Sequence, residues 1–120
     1  MVKVLVVDDE EMIRWSIAQT LSAAGYEVAE AETARDGMKL FRQLLPGVVF
    51  LDLRLPDGDG LQLLKQMKEE PGARSAVILM TAYGEISTAA QARQLGAFDY
   101  LSKPFDFDQI ALTVARAAKK

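Results

Sequence analysis

The chain has 120 residues, a length suited to one domain. Hydrophobic residues make up 50% and charged residues 26%, a balance that excludes a disordered chain. The 14 basic and 17 acidic residues leave a net charge of -3 with no basic block, which argues against direct nucleic-acid binding.

Short apolar runs alternate with segments of helical period. Lys3–Val7 reads as a strand ending at Asp8 and Asp9. Ile13, Ile17 and Leu21 then share one face of an amphipathic helix that stops at Gly25. Glu27–Ala31 is a weaker strand, rich in Ala and Glu, expected near a sheet edge. Thr33 is the expected N-cap of a second helix, with Asp36 at the capping-box position. Ala34, Met38, Phe41 and Leu45 form its stripe, and Pro46-Gly47 ends it. Residues 48–51 are continuously apolar, which suits a strand buried on both faces, and Asp52 follows. Pro56-Asp57-Gly58-Asp59-Gly60 reads as a turn. A third helix carries Leu61, Leu64 and Met67 and closes at Pro71-Gly72. Residues 76–80 predict a fourth strand ending at Thr81. A fourth helix, Ala-rich, is expected over 86–95, stopped by Gly96. Asp99–Ser102 is a fifth strand ending at Lys103-Pro104, and Ile110, Val114 and Ala117 mark a last helix. Strand and helix thus alternate five times with short connections. That order predicts an α/β fold, a parallel sheet with helices on both faces and no internal linker.

The absences narrow the chemistry. With no Cys and no His, this chain has no disulfide, thiol nucleophile, zinc cluster, serine-protease triad or phosphohistidine. With no Asn it has no N-glycosylation site. The apolar run at residues 4–7 is too short for a signal peptide or a membrane span, so a soluble, cytoplasmic protein is expected.

In an open parallel sheet, ligands bind outside the carboxyl ends of the strands. Those ends carry Asp8 and Asp9, Asp52, Thr81 and Lys103, while the second strand adds only Glu32. Each has an ordinary reading when taken singly. Residues 8–11 complement the positive end of the first helix. Asp52 forms a turn, Thr81 is a β-branched strand residue, and a loop lysine is usually solvated. These readings hold best for Glu10 and Glu11 and weaken when the other five are taken together. Clustered carboxylates repel one another unless a cation joins them. Oxygen-only ligands point to a hard ion, Mg2+ rather than zinc. Lys suits a phosphate as a point charge, and a carboxylate can become an aspartyl phosphate. Asp, Mg2+, Lys and a hydroxyl together describe a site for a phosphoryl group.

Four stretches carry a resemblance: Val7-Asp8-Asp9-Glu10, Asp52-Leu53-Arg54-Leu55-Pro56 running on to Asp59-Gly60, Met80-Thr81-Ala82, and Gly96-Ala97 followed by Tyr100-Leu101-Ser102-Lys103-Pro104-Phe105. In this order and spacing the chain resembles the receiver domain of two-component response regulators, over essentially its whole length. Ile13-Arg14-Trp15 and Gly96-Ala97-Phe98-Asp99-Tyr100 are most similar to the NtrC-type branch, whose members activate sigma-54 polymerase through further domains.

The resemblance implies a flavodoxin-like three-layer fold with sheet order 2-1-3-4-5, residues 1–120 forming the receiver with no output domain. It implies Asp52 as phosphoacceptor, with Thr81 and Lys103 contacting the phosphoryl group. Mg2+ would be held by Asp8, Asp9, Asp52 and the Arg54 carbonyl. Thr81 and Tyr100 would form the switch, and the Lys103-Pro104 bond would be cis. The donor would be a sensor histidine kinase, and the chain would catalyse only its own phosphorylation and dephosphorylation. The helix 4–strand 5–helix 5 face would control an output domain or partner in transcription. It would also support phosphorylation-dependent homodimers around Ile86 and Tyr100, and helix 4 is expected to be mobile.

Three residues are variable in such a pattern. Arg54 is expected to brace Asp9 or gate water, Tyr83 to shield the phosphoryl group, and Gly58 to loosen its loop. Two other function classes compete. A phosphorylation-independent interaction module would usually lack an acid, the acceptor or the lysine, and all are present. A dehalogenase-type phosphatase needs Asp-x-Asp, where this chain has Arg54. An EF-hand lacks a third ligand after Asp59, and no P-loop is present.

Overall fold

The computed structural model describes residues 2–82 and 85–118. Each apolar run becomes a strand and each periodic segment a helix: β1 (Lys3–Val7), α1 (Glu11–Ala23), β2 (Glu27–Ala31), α2 (Ala34–Leu44), β3 (Val48–Asp52), α3 (Gly60–Glu69), β4 (Ala76–Thr81), α4 (Ala89–Gln94), β5 (Asp99–Ser102) and α5 (Phe107–Ala118). The five strands form one parallel sheet in the order β2-β1-β3-β4-β5. This is the flavodoxin-like order, with its switch point between β1 and β3.

Strand pleating divides the apolar residues between two cores. Val4, Val6, Phe50, Ile78 and Met80 face Ile17 and Leu21 of α1 and Ile110 and Val114 of α5. Leu5, Val7, Leu51 and Leu79 face Met38 and Phe41 of α2, and Leu63, Leu64 and Met67 of α3. The central strands β3 and β4 are buried at every position, whereas β2 and β5 have exposed or half-buried residues, as edge strands should. The register aligns the strand ends. Val7 lies opposite Ala31 and Leu51, Asp52 opposite Met80, and Thr81 opposite Ser102.

The helix ends follow local chemistry. Thr33 accepts a hydrogen bond from the Asp36 N–H at 3.1 Å, as its capping position predicts. After α1, the Gly25 N–H bonds the Ser22 carbonyl and the Tyr26 N–H bonds that of Leu21, with Gly25 at φ +94°. This is a Schellman ending that glycine adopts without steric cost.

Three expectations need correction. The fourth helix begins at Ala89, not near 86, because Thr88 is extended and its hydroxyl caps the Gln91 N–H. Ile86 therefore drops into the core before the helix starts and is only 3% exposed. Leu45 does not extend the stripe of α2; it is the left-handed C-cap and is half exposed. Third, the turn after β3 is not loose. Arg54–Leu55 pairs antiparallel with Gly58–Asp59, and the Asp57 carboxylate accepts the Ala34 and Arg35 N–H groups at 2.7 and 3.1 Å. Those two N–H groups, Ala34 first, hold the Asp57 carboxyl below the usual carboxylate range.

Gly60 allows α3 to start directly against β3. A Cβ there would lie 2.2 Å from the Asp52 carbonyl oxygen and 2.7 Å from Leu53 Cα, both backbone atoms. At Gly58 a Cβ would meet only the Ala34 Cβ, at 3.6 Å. Gly60→Ala is therefore expected to destabilise the domain by about 1–3 kcal/mol in urea unfolding. Gly58→Ala is expected to be neutral or to stabilise by up to about 1 kcal/mol. Equal losses for the two would contradict the close approach at residue 60.

Candidate functional site

The aligned strand ends deliver their polar residues to one edge. Asp8 follows β1, Asp52 ends β3, Thr81 ends β4 and Lys103 follows β5. Asp8 is fully buried, Asp52 is 7% exposed and Thr81 1%, while Asp9 is exposed. Burying acids is costly unless they are paired. Lys103 provides the pairing: its Nζ stands 2.8 Å from Asp8 Oδ2 and 3.3 Å from both Glu10 Oε1 and Asp52 Oδ2. The Lys103 backbone is fixed in turn, with its N–H donating to the Thr81 carbonyl at 2.7 Å. The Lys103-Pro104 peptide bond is cis.

The remaining acceptor capacity is only partly used. Asp8 Oδ1 accepts the Glu10 N–H at 2.9 Å, and Asp52 Oδ1 the Arg54 N–H at 3.3 Å. Asp8 Oδ2, buried and close to the ammonium, makes no contact of hydrogen-bond geometry among the described residues. Burial pushes the Asp8 carboxyl up to about 6, helped by the Asp52 charge and opposed by Lys103 and the Glu10 N–H. Burial works to lower Lys103, but the carboxylates of Asp8, Asp52 and Glu10 prevail and hold it above the usual lysine value.

Carboxylate oxygens of Asp8, Asp9 and Glu10 lie within 4.8 Å of one another. This all-oxygen donor set, with the buried Asp8 Oδ2 paired so far only to an ammonium, fits a hard divalent cation and not a soft one. Asp52 joins this group through Lys103. Glu10 is the residue that sequence reasoning left on the helix end; its only signal was adjacency to the acid pair.

The Arg54 guanidinium pairs with Glu85, in the loop after β4, with contacts of 3.2–3.3 Å. Tyr83 lies outside the described residues. The Thr81 hydroxyl donates to the Ala82 carbonyl at 3.1 Å. Tyr100 is half-buried against the core, and its hydroxyl donates to the Ser87 carbonyl at 2.8 Å. Ile86 is buried here, while Leu95 after α4 and Phe107 and Leu112 of α5 are exposed among the described residues. Among the described residues, no helix is long and apolar enough to cross a membrane.

Residues 4–115 match the family model described as the response regulator receiver domain. The regulatory protein AtoC of Escherichia coli is 43% identical over 115 residues, covering 96% of this chain and 25% of that protein. The DNA-binding transcriptional regulator NtrC of Escherichia coli is 41% identical over 114 residues, covering 95% and 24%. The chain therefore spans about a quarter of the length of these relatives. Among solved structures, the receiver domain of NtrX from Brucella abortus has a TM-score of 0.86 and 37% identity, covering 98% of both chains.

The raised Asp8 pKa has a consequence for stability. The folded state keeps a proton on Asp8 up to about pH 6, whereas the unfolded chain releases it near 3.8. Stability from this group is therefore lost as pH rises from about 4 to 6 and stays low above. Without divalent cations at pH 7, Asp8→Asn is expected to gain about 1–3 kcal/mol over wild type in urea unfolding. Added Mg2+ is expected to stabilise the wild type and to leave the variant nearly unchanged. A variant less stable than wild type in EDTA would contradict the burial cost.

Proposed function

The chain belongs to the response regulator receiver family, and from that membership we propose that it is a phosphorylation-dependent signalling switch with Asp52 as the phosphoacceptor. The observation that carries this reading is the place of Asp52. It is a nearly buried acid at the sheet edge, 3.3 Å from an ammonium and beside a second acidic cluster. A phosphoryl group arriving there would meet the positive charge of Lys103.

In this reading an Asp52 oxygen attacks the phosphorus of a phosphohistidine. The phosphorus–oxygen bond forms as the phosphorus–nitrogen bond breaks, and the imidazole nitrogen leaves with the electron pair. These 120 residues hold no His, so the donor lies outside them, and we take it to be a sensor histidine kinase. Mg2+, when bound, would supply charge to neutralise the phosphoryl oxygens, held by Asp8, Asp9, Asp52 and the Arg54 carbonyl, with Glu10 within reach. Lys103 pairs with the same oxygens, and the Thr81 hydroxyl leaves the Ala82 carbonyl to donate to them. In this reading the chain catalyses only its own phosphorylation and dephosphorylation.

The output side of the proposal follows from Tyr100. Its bond to the Ser87 carbonyl ties β5 to the segment leading into α4. Movement of Thr81 would favour a second arrangement of α4, β5 and α5 in which that tie is broken. The face so altered would act on an output domain, a downstream protein or a second copy. The relatives are named as regulators, one of them DNA-binding and transcriptional, so we infer a transcriptional output.

Intact mass after incubation with acetyl phosphate and Mg2+ tests the reading. Wild type is expected to gain one phosphoryl unit, absent in Asp52→Ala and in EDTA. No gain under any condition would overturn it in favour of a phosphorylation-independent interaction module.

A further inference from the structure

One side chain outside the acidic edge holds the backbone from which the acids project. Arg14 lies in the first turn of α1, and its Nη1 donates to the Asp8 carbonyl at 2.7 Å. Its Nε faces Glu30 Oε1 of β2 at 3.4 Å. The Arg14 side chain is only 14% exposed, so the guanidinium is enclosed between the edge strand and the loop that follows β1.

The other polar groups of Asp8 are also fixed. Its N–H donates to the Ala31 carbonyl at 3.0 Å, and its Oδ1 accepts the Glu10 N–H. The bond from Arg14 to the Asp8 carbonyl constrains the peptide plane between Asp8 and Asp9, the backbone from which both carboxylates project. A guanidinium suits this task because its planar fork holds two acceptors in fixed directions.

We propose that Arg14 is a positioning residue for the divalent-cation site, acting through the Asp8 carbonyl and itself held by Glu30. The proposal rests on the reading of the acidic edge as a Mg2+ site. A plainer role exists, a tie between α1 and β2 that adds stability alone. The two differ in sign. Arg14 is a positive charge beside a cation site, so by Coulomb repulsion its removal tightens Mg2+ binding. Loss of a positioning bond weakens it instead.

The test is calorimetric titration of Mg2+ into the cation-free wild type, Arg14→Met and Arg14→Lys, with circular dichroism to confirm folding. Arg14→Met is expected to bind Mg2+ about tenfold more weakly, as is usual when support behind a metal ligand is removed. Arg14→Lys keeps the charge but has one ammonium for two separated acceptors, and a loss of about threefold is expected. A folded Arg14→Met that binds as tightly as wild type, or more tightly, overturns the proposal. If Arg14→Met does not fold, Arg14→Lys decides, and unchanged binding overturns it. A wild type that takes up no Mg2+ overturns the functional reading and this proposal together, whereas uptake by wild type with unchanged variants overturns only the role of Arg14.

Discussion

The ammonium of Lys103 stands among three carboxylates, 2.8 Å from Asp8 and 3.3 Å from Glu10 and Asp52. Everything at the carboxyl edge of the sheet depends on this contact. Acids from separate strands cannot be drawn together in a half-buried place without a counter-charge. One ammonium does not balance three carboxylates, and burial adds to the strain on the most enclosed of them. Burial, with the Asp52 charge beside it, raises the Asp8 carboxyl to about 6 although Lys103 stands 2.8 Å from its Oδ2. A site under-supplied with positive charge is ready for a divalent cation and then for a phosphoryl group, whose negative charge that cation and Lys103 would share.

The scaffold serves this balance through close approaches of backbone. Parallel register brings four strand ends level, so that residues far apart in sequence meet. Glycine at position 60 lets α3 begin against the Asp52 carbonyl. Asp57 fastens the hairpin after Asp52 to the start of α2, where free N–H groups and the helix dipole welcome an anion. The Arg54–Glu85 pair then links that hairpin to the loop after β4. The hairpin that follows Asp52 is thus braced from neighbouring elements on both sides.

Much of this was legible before any coordinates. The apolar runs give way at or beside Asp8, Asp52, Thr81 and Lys103, which places these polar residues at the strand ends. Strand order was not legible from periodicity, since alternation fixes parallel packing but not which strands are neighbours; it came with the family resemblance. The contacts that sequence reading missed are tertiary. Nothing local marks Asp57 as a cap for a helix 23 residues earlier, or pairs Arg54 with Glu85 across 31 residues. The late start of α4 had a local signal in Thr88, an N-cap residue, which the apolar Ile86 outweighed. Glu10 does sit at the helix end, as the dipole argument expects, but its carboxylate lies 3.3 Å from the Lys103 ammonium, a partner 93 residues away.

The most direct measurement is urea unfolding of Lys103→Met beside wild type, in EDTA and in Mg2+. If the ammonium balances the acidic edge, the variant in EDTA is less stable by about 3 kcal/mol, the cost of leaving buried carboxylates unpaired. Mg2+ then restores more stability to the variant than it adds to wild type. A variant as stable as wild type in EDTA, with no greater response to Mg2+, would contradict the central place given to Lys103.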